Sequence, residues 1–368
     1  MSEGDRLHTV TRDDISPRRI RLGRALVWGS AGLLALAFAV QGLFEAGATG
    51  GGFETWRPVL YAYLIFATCL CWSTVLIQGE RGKRALFVMP AALFVISIVI
   101  FPLIFAIGIA LTDWNLASID GPEFNGTANF AQMWNDAFYW NALTNMVWYV
   151  LAISVEYVIA FGLALLLHAQ IRARKFFRVA FLMPLMLSPV AVSWMIGKSM
   201  LEVRFGPISR LAKWLGWDRP TFFSDPAIAK ATIMVMDAWT WIPLMMVILL
   251  AGLQTLDREV IEASKVDGAT PWQRFREVIF PLMIPVSITA LLIRIIFKLK
   301  LADIIINVTS GGPGGATDSV TSFVFREYRD RSNVGYGTLL AVVYLVLIII
   351  VMASFIGLTR RWMRTEKD

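Results

Sequence analysis

The chain has 368 residues, 57% hydrophobic and 17% charged, with a mean hydropathy of +0.62. Soluble domains average about 45–50% apolar and about 25% charged residues, so this composition points to a membrane and away from disorder. Two cysteines exclude a disulfide scaffold, two histidines (His8 and His168) exclude a histidine metal cluster, and the net charge of +7 is either a nucleic-acid face or a topology signal.

A spanning helix needs about 20 largely apolar residues. Residues 25–44, 58–77 and 85–111 are uncharged runs of that length. Cys69 and Cys71 sit inside the second run, where they read as small buried hydrophobes. Residues 141–167 carry only Glu156, 179–197 carry no charge, and 231–252 carry only Asp237. Residues 282–301 carry Arg294, Lys298 and Lys300 and form the weakest run, whereas 334–359 are uncharged. Eight runs predict an all-α polytopic membrane protein with about eight transmembrane helices and both ends on one side. Pro184 and Pro189 are expected to break the fifth span and Pro243 the sixth.

Placing both ends in the cytoplasm puts 21 of the 34 Lys and Arg residues on the cytoplasmic side and 9 on the other. The positive-inside rule therefore predicts cytoplasmic termini and explains the net charge without nucleic acid. Arg18, Arg19, Arg21 and Arg24 are placed to meet anionic membrane lipids. Ala46-Gly47-Ala48 resembles a signal-peptide cleavage site, but the preceding apolar run of about 20 residues exceeds the usual 7–15. The first span is therefore expected to be retained.

No outside loop is long enough for a folded domain. The most informative loop is the inside one at 253–280, LQTLDREVIEASKVDGATPWQRFREVIF. Asp257 is an N-cap candidate, and Gly268 fits the left-handed position that ends a helix. Thr270-Pro271-Trp272-Gln273 then supplies an N-cap, a first-turn proline and a capping-box glutamine. Pro281 and Pro285 are expected to end or kink the helix that starts there. The pattern predicts helix, tight turn, helix at the inner membrane surface. Two readings fit the first helix: docking to another protein, or an interfacial amphipathic helix.

Glu262-Ala263-Ser264, Gly268 six residues after Glu262, and Val278-Ile279-Phe280-Pro281 resemble the EAA loop of ABC importer permeases. That pattern is Glu-Ala-Ala, three residues, Gly, nine residues, Ile, one residue, Leu-Pro. Ser264, Val278 and Phe280 depart from it mildly. Phe297–Leu299, Asp303, Thr309-Ser310-Gly311-Gly312-Pro313 and Thr317 resemble the carbohydrate-importer branch, and the likeness covers about 85–360. Residues 1–84, with two spans, resemble the N-terminal addition of maltose-type first permeases, whose large external domain is missing. Residues 361–368 form a cytoplasmic tail.

The resemblance implies a subunit of a bacterial inner-membrane importer, paired with a second homologous permease and two ATPase subunits that bind ATP and Mg. It implies a periplasmic or lipid-anchored binding protein that delivers a carbohydrate-like solute. The coupling residues it implies, within the loop 253–281, are Glu262, Ala263, Ser264, Asp267, Gly268 and Pro281. This chain itself carries no Gly-x4-Gly-Lys-Ser/Thr, and Gly311–Gly315 lacks the lysine, so the expectation is a transport subunit with no cofactor and no enzyme activity of its own.

Intramembrane charges are costly and often functional. Arg294 and Lys298 share one helical face at i,i+4. They either pair with Glu156 and Asp237 or present a cationic patch to an anionic substrate such as a sugar phosphate or sulfonate. Trp194, Trp239 and Trp241 with Asn145, Ser188 and Ser193 are the remaining substrate-path candidates; the tryptophans also suit a membrane aromatic belt. Two rival readings are an ion-coupled secondary transporter using Glu156, Asp237 and Arg294, and a lipid-linked-sugar transferase. The second wants paired carboxylates or a metal site, for which the outer loops offer only scattered acids such as Asp113, Asp120 and Glu123.

Overall fold

The computed structural model describes residues 16–45, 51–53, 55–119, 121–169 and 172–365. His8, Ala46-Gly47-Ala48 and Asp120 lie outside the described residues. The chain divides into two compact units, Met1–Phe105 and Ala106–Asp368. In the first, α1 (Pro17–Glu45) and α2 (Arg57–Gln78) pack along each other, joined at Ser73, whose hydroxyl donates to the Gly23 carbonyl at 2.8 Å. The third apolar helix, α3 (Gly82–Ala110), runs through the division and carries a π-helical turn at Ile96–Ile100.

The second unit contains α4 (Ala128–Asn135), α5 (Ala137–His168), α6 (Lys175–Met186), α7 (Pro189–Met200), α8 (Pro207–Trp214) and α9 (Pro226–Thr255). It continues with α10 (Arg258–Val266), α11 (271–299), α12 (Asp303–Val308), α13 (Val320–Arg329) and α14 (Val334–Thr365). The described helices are long and apolar enough for seven spans, or eight when α6 and α7 count as one broken span.

Two apolar clusters set the helix directions. One joins the first halves of α5 and α9 (Met146, Tyr149, Ile233, Met236) with the end of α11 (Ile295, Leu299) and the start of α14 (Tyr336, Leu340). The other joins the second halves of α5 and α9 (Phe161, Leu167, Met246, Leu253) with the earlier and middle part of α11 (Met283, Ala290). Helices α5 and α9 therefore run parallel, with α11 antiparallel to both. A chain leaving α5 at one face and entering α9 at the other must cross between them. The pair α6–α7, bent by 98°, makes that crossing, so it is a broken span.

The break lies at Leu187-Ser188, where Pro189 opens α7 and the Ser188 hydroxyl caps it through the Ala191 N–H. The break expected at Pro243 does not occur: α9 is helical through that residue. Nor do Pro281 and Pro285 end α11. The turn before Pro281, Arg274–Ile279, widens into a π-helix, and helix continues to Leu299. Local π adjustment and packed neighbours re-satisfy the carbonyls that a proline frees within a membrane helix.

Candidate functional site: an exposed helical turn and a buried ion cluster

The 253–281 loop folds as its capping residues dictate. The Asp257 carboxylate accepts from the Glu259 N–H at 3.0 Å and starts α10. At its end Ala269 N–H donates to the Ser264 carbonyl at 3.0 Å and Gly268 N–H to the Lys265 carbonyl at 3.1 Å. This is the Schellman pattern, and Gly268 takes the left-handed φ of +79° it requires. Thr270 and Gln273 then form a capping box at the start of α11.

Glu262, Ala263, Asp267 and Gly268 are exposed on this turn, as is Pro281 beyond it. Ser264 is buried and donates to the Ile261 carbonyl at 2.7 Å. Val266 is 88% exposed and Trp272 66% exposed, so the turn presents apolar side chains beside its acids. Underneath, Phe275 meets Phe161 of α5 edge-on at 5.6 Å, tying the turn to the core.

The intramembrane charges come together. Arg294 donates through Nε to Glu156 at 2.6 Å and through Nη2 to Asp237. Lys298 donates to Glu156 at 2.8 Å and to Asp237. All four side chains are buried, so α5, α9 and α11 are joined by a neutral cluster closed to solvent.

The other candidates divide. Asn145 is buried, and its amide donates to the carbonyls of Gly315 at 3.1 Å and Asp318 at 3.0 Å. Ser188 caps α7, and Ser193 donates to the Pro189 carbonyl at 2.7 Å. Trp241 stacks on Phe297 at 4.5 Å, Trp239 lines an apolar cavity between α7 and α9, and Trp194 is exposed. The six do not converge on one cavity.

Sequence reasoning missed the anchoring of the loop 309–319. Asn141, Asn145 and Tyr149 form an i,i+4,i+8 stripe on α5. Asn141 donates to the Gly315 carbonyl at 2.7 Å and the Tyr149 hydroxyl to the Thr317 carbonyl at 2.8 Å. The polar spacing of that stripe was a usable signal. Gly311, Gly314 and Gly315 all have positive φ, and a Cβ at Gly311 would fall on the Asp318 carboxylate. Asp318 accepts from Ser322 at 3.1 Å and from Arg326, while burial pushes its carboxyl up to about 6. Burial likewise raises Glu327, which pairs with Arg331.

A bundle of apolar spanning helices with a capped helix–turn–helix held out at one face defines a class: polytopic membrane proteins that present an aqueous docking element. Residues 157–365 match the family described as "Binding-protein-dependent transport system inner membrane component", and the chain belongs to it. It is a multi-pass protein of the inner membrane.

Among its relatives is the probable starch degradation products transport system permease protein AmyD of Thermoanaerobacterium thermosulfurigenes. It is 31% identical over 277 residues, 75% of this chain and 93% of that protein. The sulfoquinovosyl glycerol transport system permease protein SmoG of Agrobacterium fabrum is 30% identical over 78% of this chain and 94% of its own. The trehalose/maltose transport system permease protein MalF of Thermococcus litoralis is 28% identical over 73% and 91%. A chain from the crystal structure of a bacterial alginate ABC transporter shares the fold, with a TM-score of 0.66 at 17% identity over 84% of this chain and 98% of that one.

Proposed function

We propose that this chain is one of two homologous permeases in an ATP-driven importer of a carbohydrate or sugar-like solute. A binding protein delivers the solute, and two ATPase subunits beneath the pair bind ATP and Mg. The observation that carries this reading is the α10 turn: Glu262, Ala263 and Gly268 are exposed at the EAA spacing on a capped scaffold rooted in α5 and α11. An ATPase cleft takes that turn; Glu262 supplies the charged contact, and Val266 and Trp272 bury their side chains against it. Closure of the ATPases on ATP pulls the turn, and the helices above it move.

Eight crossings, counting α6–α7 as one broken span, and the excess of Lys and Arg on the side of the α10 turn support cytoplasmic termini. The carbohydrate class follows the relatives, whose names include starch degradation products, sulfoquinovosyl glycerol and trehalose/maltose. The closed ion cluster favours a clamp between helices over an anion site, because each cation already faces carboxylates.

Uptake of labelled maltooligosaccharides by cells carrying the transporter tests the reading. Uptake that survives collapse of ion gradients and stops on ATP depletion is expected. Uptake that follows the ion gradient and ignores ATP identifies the rival secondary transporter.

A further inference from the structure

The segment 201–225, between α7 and α9, exposes apolar side chains and cations side by side. Ile208, Leu211 and Leu215 fall at i,i+3,i+7, and Leu211, Leu215 and Trp214 are 54%, 71% and 81% exposed. Arg204, Arg210, Lys213 and Arg219 are exposed among them, and they outnumber the exposed acids of the segment, Asp218 and Asp225. The segment is nonetheless built and held. Ser209 donates to the Leu201 carbonyl at 2.9 Å, Lys213 to the Val203 carbonyl at 2.9 Å, and Trp217 meets Phe222 edge-on at 5.0 Å. Because α7 ends and α9 begins at this face, α8 lies at the level of the membrane surface.

A cavity of about 580 Å³ opens under α8, between α7 and α9. Met195, Met200, Ile208, Trp217, Val235 and Trp239 line it, and Thr232 is the one hydroxyl in its wall. A saccharide needs several convergent polar groups to fix its hydroxyls, which this wall does not offer. Val235 is 67% exposed, so the cavity is open along α9.

We propose that this groove is a phospholipid site. An acyl chain lies against Met195, Met200, Val235 and Trp239, and the phosphate meets the guanidinium groups of Arg204, Arg210 and Arg219. Helix α8 lies flat in the interface above it. An apolar helix face with cations beside it is the pattern of a membrane-surface helix, and Trp214 and Trp217 suit the headgroup level. Guanidinium groups donate paired hydrogen bonds to phosphate oxygens, so the fringe selects anionic headgroups. The proposal is independent of the transported solute.

The test uses the assembled transporter in phosphatidylethanolamine vesicles with a trace of phosphatidylglycerol carrying a diazirine in its acyl chain. After illumination, adducts are mapped by peptide mass spectrometry. Adducts are expected on 195–200 and 228–239. The triple variant Arg204→Gln, Arg210→Gln, Arg219→Gln is expected to lower phosphatidylglycerol labelling there by at least about tenfold while leaving labelling by the matching phosphatidylcholine probe unchanged. Ala231→Trp, which fills the groove, should abolish both. Labelling of the exposed α3 residues Phe94 and Ile98 without labelling of the groove overturns the proposal, as does crosslinking of the variant Val235→Cys to another subunit. Unchanged phosphatidylglycerol labelling in the triple variant overturns the phosphate contact.

Discussion

At the scale of single residues the bundle depends on charges that water does not reach. Arg294→Gln leaves two carboxylates facing one ammonium. Breaking a buried ion network by removing one member costs about 3–5 kcal/mol. Loss of assembled, folded transporter is the expected result, read as detergent-resistant yield and melting temperature. A variant that assembles normally and changes its preference between neutral and anionic sugars shows instead that Arg294 faces the solute. Asp318 gives a second prediction at this scale. Its carboxyl is pushed up to about 6, above its ordinary value of 3.8, because burial disfavours the charged form. The folded loop therefore holds its proton more tightly than an opened one. Loop stability is greatest below the ordinary value, falls as pH rises toward 6 and is flat above; the rise from 3.8 to about 6 is worth on the order of 2–3 kcal/mol. Hydrogen exchange of 309–319, corrected for intrinsic rates, should show greater protection at pH 4.5 than at pH 7.5. Asp318→Asn should remove that dependence. The pairing of Glu156, Asp237, Arg294 and Lys298 was legible as one of two readings, since charges in apolar runs must find partners. Which carboxylate meets which cation was not, because that depends on the relative rotation of three helices.

At the scale of elements the capped turn is the clearest case. Asp257, Gly268, Thr270 and Gln273 are local signals whose hydrogen bonds close within six residues, so the sequence alone specified α10, its turn and the start of α11. Gly268→Val puts a β-branched residue at φ +79°, which costs roughly 1–2 kcal/mol and reshapes the turn. Retention of the ATPase by the permease pair should drop; unchanged retention means the turn does not set the docking geometry. Thr270→Ala removes one half of the capping box and should cost about 1 kcal/mol, seen as faster exchange of the amides at 271–274. The prolines were less legible. Pro189 breaks its span because a capping serine precedes it, whereas Pro243 and Pro281 are absorbed by packing and by a π-turn that no local signal announces. The anchoring of 309–319 escaped because its partners lie about 170 residues away on α5.

At the scale of the whole molecule the count of apolar runs gave the architecture, and the parallel packing of α5 and α9 makes the bent pair a crossing. The substrate path was the least legible feature, because under the proposed function a second chain shares it, and the polar groups singled out in this one mostly hold its own backbone. The central claim is that the α10 turn is where the energy source attaches. The measurement that tests it most directly is purification of this chain from its own membrane in mild detergent, as wild type and as Glu262→Lys, with identification of the proteins that accompany each. An ATPase and a second permease are expected with the wild type, and the second permease without the ATPase with Glu262→Lys. A wild-type chain that emerges alone or as a homo-oligomer, or a variant that keeps its ATPase and its uptake, contradicts the claim.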